Sequence, residues 1–258
     1  MSDVAGRVAA VEARHVTVSY GARPVLWDAD ARFPAGALSA VVGPNGSGKS
    51  TLLKACMGLV PLETGSVSIL GRPASAALER VAYVPQSEEV DWDFPVTVRE
   101  VVEMGRYRSA GWMRRLRPDD RNAVDAALER VGMARYADRQ IGRLSGGQRK
   151  RVFIARALAQ NAEVLMLDEP FAGVDARTEA EILQLLADLR DRHGRSVVVV
   201  HHDLATVQAS FDHAVLLHTR VVDEGPPAQA LRPEAIREAY GAASAGVGGP
   251  AEEQPWVP

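Results

Sequence analysis

The 258-residue sequence predicts an α/β fold with a mostly parallel core sheet, an N-terminal antiparallel β subdomain and an inserted helical subdomain. Three observations carry this reading. Short, largely apolar runs at 38–42, 162–167 and 196–200 suit strands buried on both faces. Stretches with helical apolar spacing alternate with them, the pattern of a parallel sheet covered by helices. Between about 88 and 161 the alternation lapses and helical signals dominate.

Residues 8–20 and 23–33 mix β-branched and polar side chains and read as strands, with Pro34, Ala35 and Gly36 turning into the strand at 38–42. A helix follows from Leu52. A short strand at 66–70 is expected to join the N-terminal strands in a small antiparallel sheet, and another at 81–84 ends at Pro85 and Gln86. Pro95 breaks the next stretch, and Thr97 can cap a helix over 98–107. Val124, Ala127, Leu128 and Val131 give helical spacing to 119–131, which Gly132 closes. Ser145 is positioned to cap a helix over 149–159. The strand at 162–167 ends at Asp168 and Glu169, an amphipathic helix covers 179–191, and the strand at 196–200 ends at His201 and His202. Closing strands are expected at 214–217 and 221–223. From Gly241 the glycine-, alanine- and proline-rich sequence predicts a disordered tail, so that 1–240 is the folded domain and 241–258 the tail.

Composition narrows the function classes. A formal net charge of −3 makes no general case for nucleic acid or an anionic membrane surface. Cys56 is the only cysteine, which excludes a disulfide within the chain and a cysteine metal cluster. It lies on the apolar side of its helix and reads as a small buried hydrophobe. The opening residues lack the basic start and apolar core of a signal peptide, and no run approaches the roughly 20 apolar residues that span a bilayer. A soluble, intracellular protein is expected. Arg106, Arg108, Arg114, Arg115 and Arg117, interleaved with Tyr107, Trp112 and Met113, form a basic cluster that reads as a solvated helix face or a docking surface for another protein.

The chemistry starts at GPNGSGKST. Gly43, Pro44, Asn45, Gly46, Ser47, Gly48, Lys49, Ser50 and Thr51 stand between a strand and a helix, the context of a phosphate-binding loop. A polyphosphate needs several donors aimed at one point. Glycines let the backbone curl its N–H groups inward, and the following helix adds the partial positive charge of its N-terminus. Lys49 is expected to reach the terminal phosphates and Ser50 to ligate Mg²⁺. Asp168, at a strand tip, can hold Mg²⁺ through its waters, and Glu169 beside it can deprotonate an attacking water. Leu144 to Gln148 reads LSGGQ, in which Ser145, Gly146, Gly147 and Gln148 open a helix and make a second anion site. Either that site binds something else, or it belongs to a site shared by two molecules. Tyr20 is open to two readings, a ring stacked on a base or an ordinary strand tyrosine. Neighbours on a strand face opposite ways, so His201 and His202 do not read as a chelating pair.

Taken together, these motifs resemble the ATP-binding cassette (ABC) family over nearly the whole chain. GPNGSGKST is similar to its Walker A motif, LSGGQ to its signature, and EVLMLDE, ending at Glu169, to its Walker B. Gln86 resembles the Q-loop glutamine, Asp175 the D-loop aspartate, His202 the switch histidine, and Tyr20 the aromatic that stacks on adenine. The resemblance implies ATP and Mg²⁺ as cofactors, with Ser50, Gln86 and Asp168 toward the metal and Glu169, Gln86 and His202 as catalytic residues. It implies a head-to-tail homodimer in which LSGGQ of one subunit closes on the nucleotide of the other. It also implies a membrane permease that holds the ATPase at the cytoplasmic face, and no nucleic-acid partner. VDWDFPVTVREVVEMGRY, DEPFAGVD and VVHHDL look like the ATPases of manganese, zinc and iron importers, which also use an extracytoplasmic binding protein. The alternatives are an ABC ATPase for another substrate or a soluble, non-transport ABC ATPase.

Overall fold

A computed structural model describes residues 8–86, 94–108 and 116–245. Strands β1 (Ala9–Ser19) and β2 (Pro24–Pro34) form an antiparallel hairpin, and β3 (Leu38–Val42) leads through a loop into helix α1 (Lys49–Cys56). Strand β4 (Thr64–Ile69) pairs antiparallel with β1, and the two-residue β5 (Arg72–Pro73) completes this sheet in the order β2-β1-β4-β5. After the one-turn α2 (Ala74–Ala77) and β6 (Val81–Val84) come helices α3 (Val98–Glu103), α4 (Pro118–Arg130) and α5 (Gly146–Ala159). Then follow β7 (Val164–Leu167), α6 (Ala176–His193), β8 (Ser196–Val200), α7 (Leu204–Ser210), the antiparallel pair β9 (His213–His218) and β10 (Arg220–Gly225), α8 (Pro227–Ala230) and α9 (Pro233–Ala245).

The core sheet runs β10-β9-β3-β8-β7-β6, parallel throughout except at β9–β10. Every residue of β3, β7 and β8 is buried, because both faces are covered. Alternation then divides the side chains. Leu38, Ala40, Leu165, Leu167, Val197 and Val199 face the helical layer, whereas Val41, Val164, Met166, Val198 and Val200 pack with α1 and the antiparallel sheet. The expected α/β fold, with its parallel core, antiparallel N-terminal sheet and helices between β6 and β7, is the observed one. Cys56 is buried, and burial pushes its thiol up to about 12.

Three features depart from expectation. The helix expected over 98–107 starts at the Thr97 capping box with Glu100 but tightens into a 3₁₀ turn at Met104–Arg106. That turn lies against α5, where a Cβ on Gly105 would stand 2.3 Å from the Arg156 carbonyl oxygen. Second, α9 continues through Ala245, beyond the expected start of the disordered tail at Gly241. Ala235 and Ala239 are buried and Ile236 and Tyr240 pack on the core, and the helix anchored by them runs on through the first residues of the expected tail. Residues 246–258 lie outside the described residues.

Third, Arg106 is not part of a solvated face. Its guanidinium donates to Asp120 Oδ1 at 2.7 and 2.8 Å and to the Ala159 carbonyl at 3.0 Å, with the Asp120 side chain 6% exposed. One cation thus ties the end of the α3 segment to the start of α4 and the end of α5. Arg108 and Arg117 are exposed, while Trp112, Met113, Arg114 and Arg115 lie outside the described residues, as do Asp91, Trp92 and Asp93. Arg106→Glu should therefore leave Asp120 beside a second carboxylate. The expected cost is about 3 kcal/mol, as for a broken buried pair, or a melting midpoint lower by about 6–12 °C. Calorimetry checks it, and an unchanged midpoint would show that the pair is not structural.

Candidate nucleotide site

The site is built at the carboxyl ends of the core strands. Leaving β3, the chain turns sharply at Gly43, where a Cβ would stand 2.0 Å from the Leu217 carbonyl oxygen. Gly48 is left-handed at φ 96° and packed so closely that a Cβ would meet Leu26 at 2.7 Å and the Val25 carbonyl at 2.8 Å. Gly48 is also the N-cap of α1, and no side chain caps that helix end. The first-turn N–H groups are left for a ligand, which is how a helix N-terminus receives an anion.

Lys49 is 5% exposed, and its Nζ reaches back to the carbonyls of Gly43 at 3.0 Å and Pro44 at 2.8 Å. Burial lowers its pKa, and the charges of Glu169 and Asp168 oppose that shift. Ser50 donates its Oγ–H to Asp168 Oδ1 at 2.8 Å, and the Tyr83 hydroxyl donates to the other Asp168 oxygen at 3.3 Å. Asp168 is 1% exposed. Burial raises its pKa, and the Ser50 hydrogen bond works against this. A serine hydroxyl beside a buried carboxylate is a hard oxygen donor pair, the chemistry that suits Mg²⁺.

Glu169 has a left-handed backbone, φ 49°, which is uncommon outside glycine and concentrates at functional sites. Its carboxylate is gripped from two sides. Gln86 Nε2 donates to Oε2 at 3.0 Å, and His202 Nε2 lies 2.8 Å from Oε1. Together with residues 45–51 and Val25, these three side chains line one cavity of about 650 Å³, within the usual range for a small-molecule site. The cavity thus has a cationic, N–H-rich wall facing an anionic one.

Other residues singled out from the sequence lie elsewhere. Tyr20 is 62% exposed at the tip of the β1–β2 hairpin and does not line the cavity. Ser145 caps α5 in a box with Gln148, accepting its N–H at 3.4 Å while Gln148 Oε1 accepts the Ser145 N–H at 3.1 Å. Gly147 lies against α6, where a Cβ would meet Thr178 Cγ2 at 2.6 Å. Asp175 caps α6 by accepting the Thr178 N–H at 2.9 Å and its hydroxyl at 2.8 Å, bonds that hold its carboxyl below the usual range. Ser145, Gly146, Gly147, Gln148 and Asp175 are thus absent from this chain's own cavity lining. His201 is 5% exposed, whereas the His202 side chain is 45% exposed, as opposite-facing neighbours should be.

Two contributors escaped sequence reasoning. Tyr83 reaches Asp168 across the β6–β7 pairing. Lys150 is buried on α5, with its ammonium on the carbonyls of Ala172 and, at 3.4 Å, Glu169. It braces the turn that carries Glu169. Burial lowers its pKa and Glu169 opposes the shift.

Comparison with known proteins agrees with this geometry. The ABC transporter family profile matches residues 26–172. The chain is 52% identical over 243 residues to the zinc transport system ATP-binding protein TroB of Treponema pallidum (strain Nichols), covering 93% of this chain and 90% of that protein. It is 49% identical over 231 residues to the manganese transport system ATP-binding protein MntB of Bacillus subtilis (strain 168), covering 90% and 92%. Among solved structures, it resembles the dimeric post-hydrolysis ATP-binding cassette MJ0796 bound to ADP and Pi, with TM-score 0.74, 27% identity and coverage of 84% of this chain and 98% of that one. A nucleotide-free cassette from an ABC transporter, at 23% identity and TM-score 0.76 over 91% of this chain and 96% of that one, shares the fold. No helix among the described residues is long and apolar enough to cross a membrane. The chain belongs to the ABC transporter family, as an ATP-binding subunit that hydrolyses ATP to drive transport.

Proposed function

We propose that this chain powers the import of a divalent transition metal, Mn²⁺ or Zn²⁺ with iron third, by hydrolysing ATP in the cavity between Lys49 and Glu169. One observation carries the chemistry: a general-base candidate, Glu169, is held by Gln86 and His202 opposite a helix N-terminus and a buried lysine. Lys49 and the first-turn N–H groups of α1 bind the phosphates. Ser50 and Asp168, with Gln86 on the same cavity, would hold Mg²⁺, which when bound would supply positive charge against the phosphates. Glu169 accepts a proton from water as the water oxygen bonds to the γ-phosphorus and the bond to the bridging oxygen breaks, releasing ADP and phosphate. Tyr20 supplies the stacking ring for the base.

The signature does not line its own cavity, so a second copy brings Ser145, Gly146, Gly147, Gln148 and Asp175 to it in a head-to-tail homodimer. The helices at about 88–161 receive a permease, which keeps the subunit peripheral at the cytoplasmic face of the membrane, while an extracytoplasmic protein delivers the metal. Gln86 couples the two parts, since it stands between the cavity and the helical segment. The names of the zinc and manganese relatives support the cargo. The test is gene deletion followed by growth in chelated medium with single metals restored. Rescue by manganese or zinc is the expected result. Normal growth and normal metal content under depletion, with no redundant importer, would refute metal import.

A further inference from the structure

His201 takes no part in the phosphate chemistry above, yet it is enclosed beside it. Its N–H extends the core ladder one residue past β8, to the Val41 carbonyl at 3.0 Å. Its ring sits between Phe171, two residues after Glu169, at 4.8 Å between centroids, and Phe211, at the end of α7, edge-on at 5.8 Å. Nδ1 accepts the Asp203 N–H at 3.0 Å. The ring hydrogen is therefore on Nε2, which makes no hydrogen bond and lies 3.4 Å from Glu179 Oε1. Burial pushes the imidazole down to about 4, so the ring stays neutral and its Nδ1 lone pair stays available at physiological pH.

A side-chain acceptor bonded to the N–H two residues on closes a turn around the residue between, as in an Asx turn. That residue is His202. Its side chain is 45% exposed and gains little orientation from packing, yet its Nε2 stands 2.8 Å from Glu169. We propose that His201 is a positioning residue for hydrolysis: held between Phe171 and Phe211, it closes the 201–203 turn and so aims His202 at Glu169 across the nucleotide cavity. The Phe171 contact also ties that turn to the loop carrying Glu169, so both partners of the His202–Glu169 pair are referred to one buried ring.

The proposal rests on the cavity being the ATPase site, and two variants with opposite defects test it. His201→Phe keeps a ring in the aromatic sandwich and loses the acceptor. His201→Asn loses the ring but keeps an oxygen that can accept the Asp203 N–H. In the purified full-length protein, kcat should fall about tenfold or more in His201→Phe, the size of effect expected when a catalytic group is displaced. It should stay close to wild type in His201→Asn, although that variant melts lower because of the space left between the phenylalanines. Fluorescent-nucleotide binding should be unchanged in both. A packing role alone reverses the order, and wild-type kcat in His201→Phe or equal losses in the two variants would overturn the proposal. Absence of ATP turnover in the wild-type protein would instead strike the underlying assignment, and this proposal with it, without reference to either variant.

Discussion

Glu169→Gln should lower kcat by about 10²- to 10⁴-fold, the range for losing a general base, while ATP still binds. The carboxylate is anchored by Gln86 at 3.0 Å and His202 at 2.8 Å, and its backbone is held left-handed at φ 49°. Glutamine matches it in shape and keeps an oxygen that can face one of those partners. It cannot take a proton from water. The deficit should fall on kcat and not on nucleotide affinity, since Lys49 and α1, the proposed phosphate site, form the opposite wall. Steady-state hydrolysis paired with equilibrium nucleotide binding separates the two effects. A kcat within a few-fold of wild type, where a loss of at least about 10² is expected, would place the base elsewhere.

Lys49→Ala should abolish turnover and weaken ATP binding together. Lys49 is the buried cation among the residues lining the cavity, and its Nζ stands at the loop carbonyls of Gly43 and Pro44, ready to be drawn to phosphate oxygens. Hydrogen bonds to charged groups contribute about 1.5–3 kcal/mol each, so the dissociation constant for ATP should rise about 10- to 100-fold. The fold should survive, because removing a buried ammonium relieves the desolvation that lowers its pKa. Calorimetric titration with ATP and Mg²⁺ provides the reading. Wild-type affinity in this variant would end the assignment of the loop.

Much of this architecture was legible in the residues because its signals are local. The runs in β3, β7 and β8 announce strands buried on both faces, and Thr97 and Ser145 announce helix starts with partners three residues away. The turn between β3 and α1 is legible for the same reason, its glycines, lysine and serine falling within eight consecutive positions, 43–50. What escaped depends on distance along the chain. Tyr83 meets Asp168 across 85 positions, and Lys150 meets Ala172 across 22. Nothing beside either residue signals that contact. Arg106 looked solvated because its neighbours are basic, whereas its partner Asp120 arrives with the next helix. The end of α9 was hidden by composition: the alanines and glycines from Gly241 read as disorder, although they continue a helix whose earlier turns dock through Ala235 and Ala239.

In the proposed homodimer, the cavity is half of an ATPase site, completed by the signature of a second copy. Sedimentation velocity of the Glu169→Gln protein tests it most directly, because ATP persists there without turnover. A monomer without nucleotide and a dimer at saturating ATP and Mg²⁺ are expected. A protein that stays monomeric with its cavity filled by ATP would contradict it.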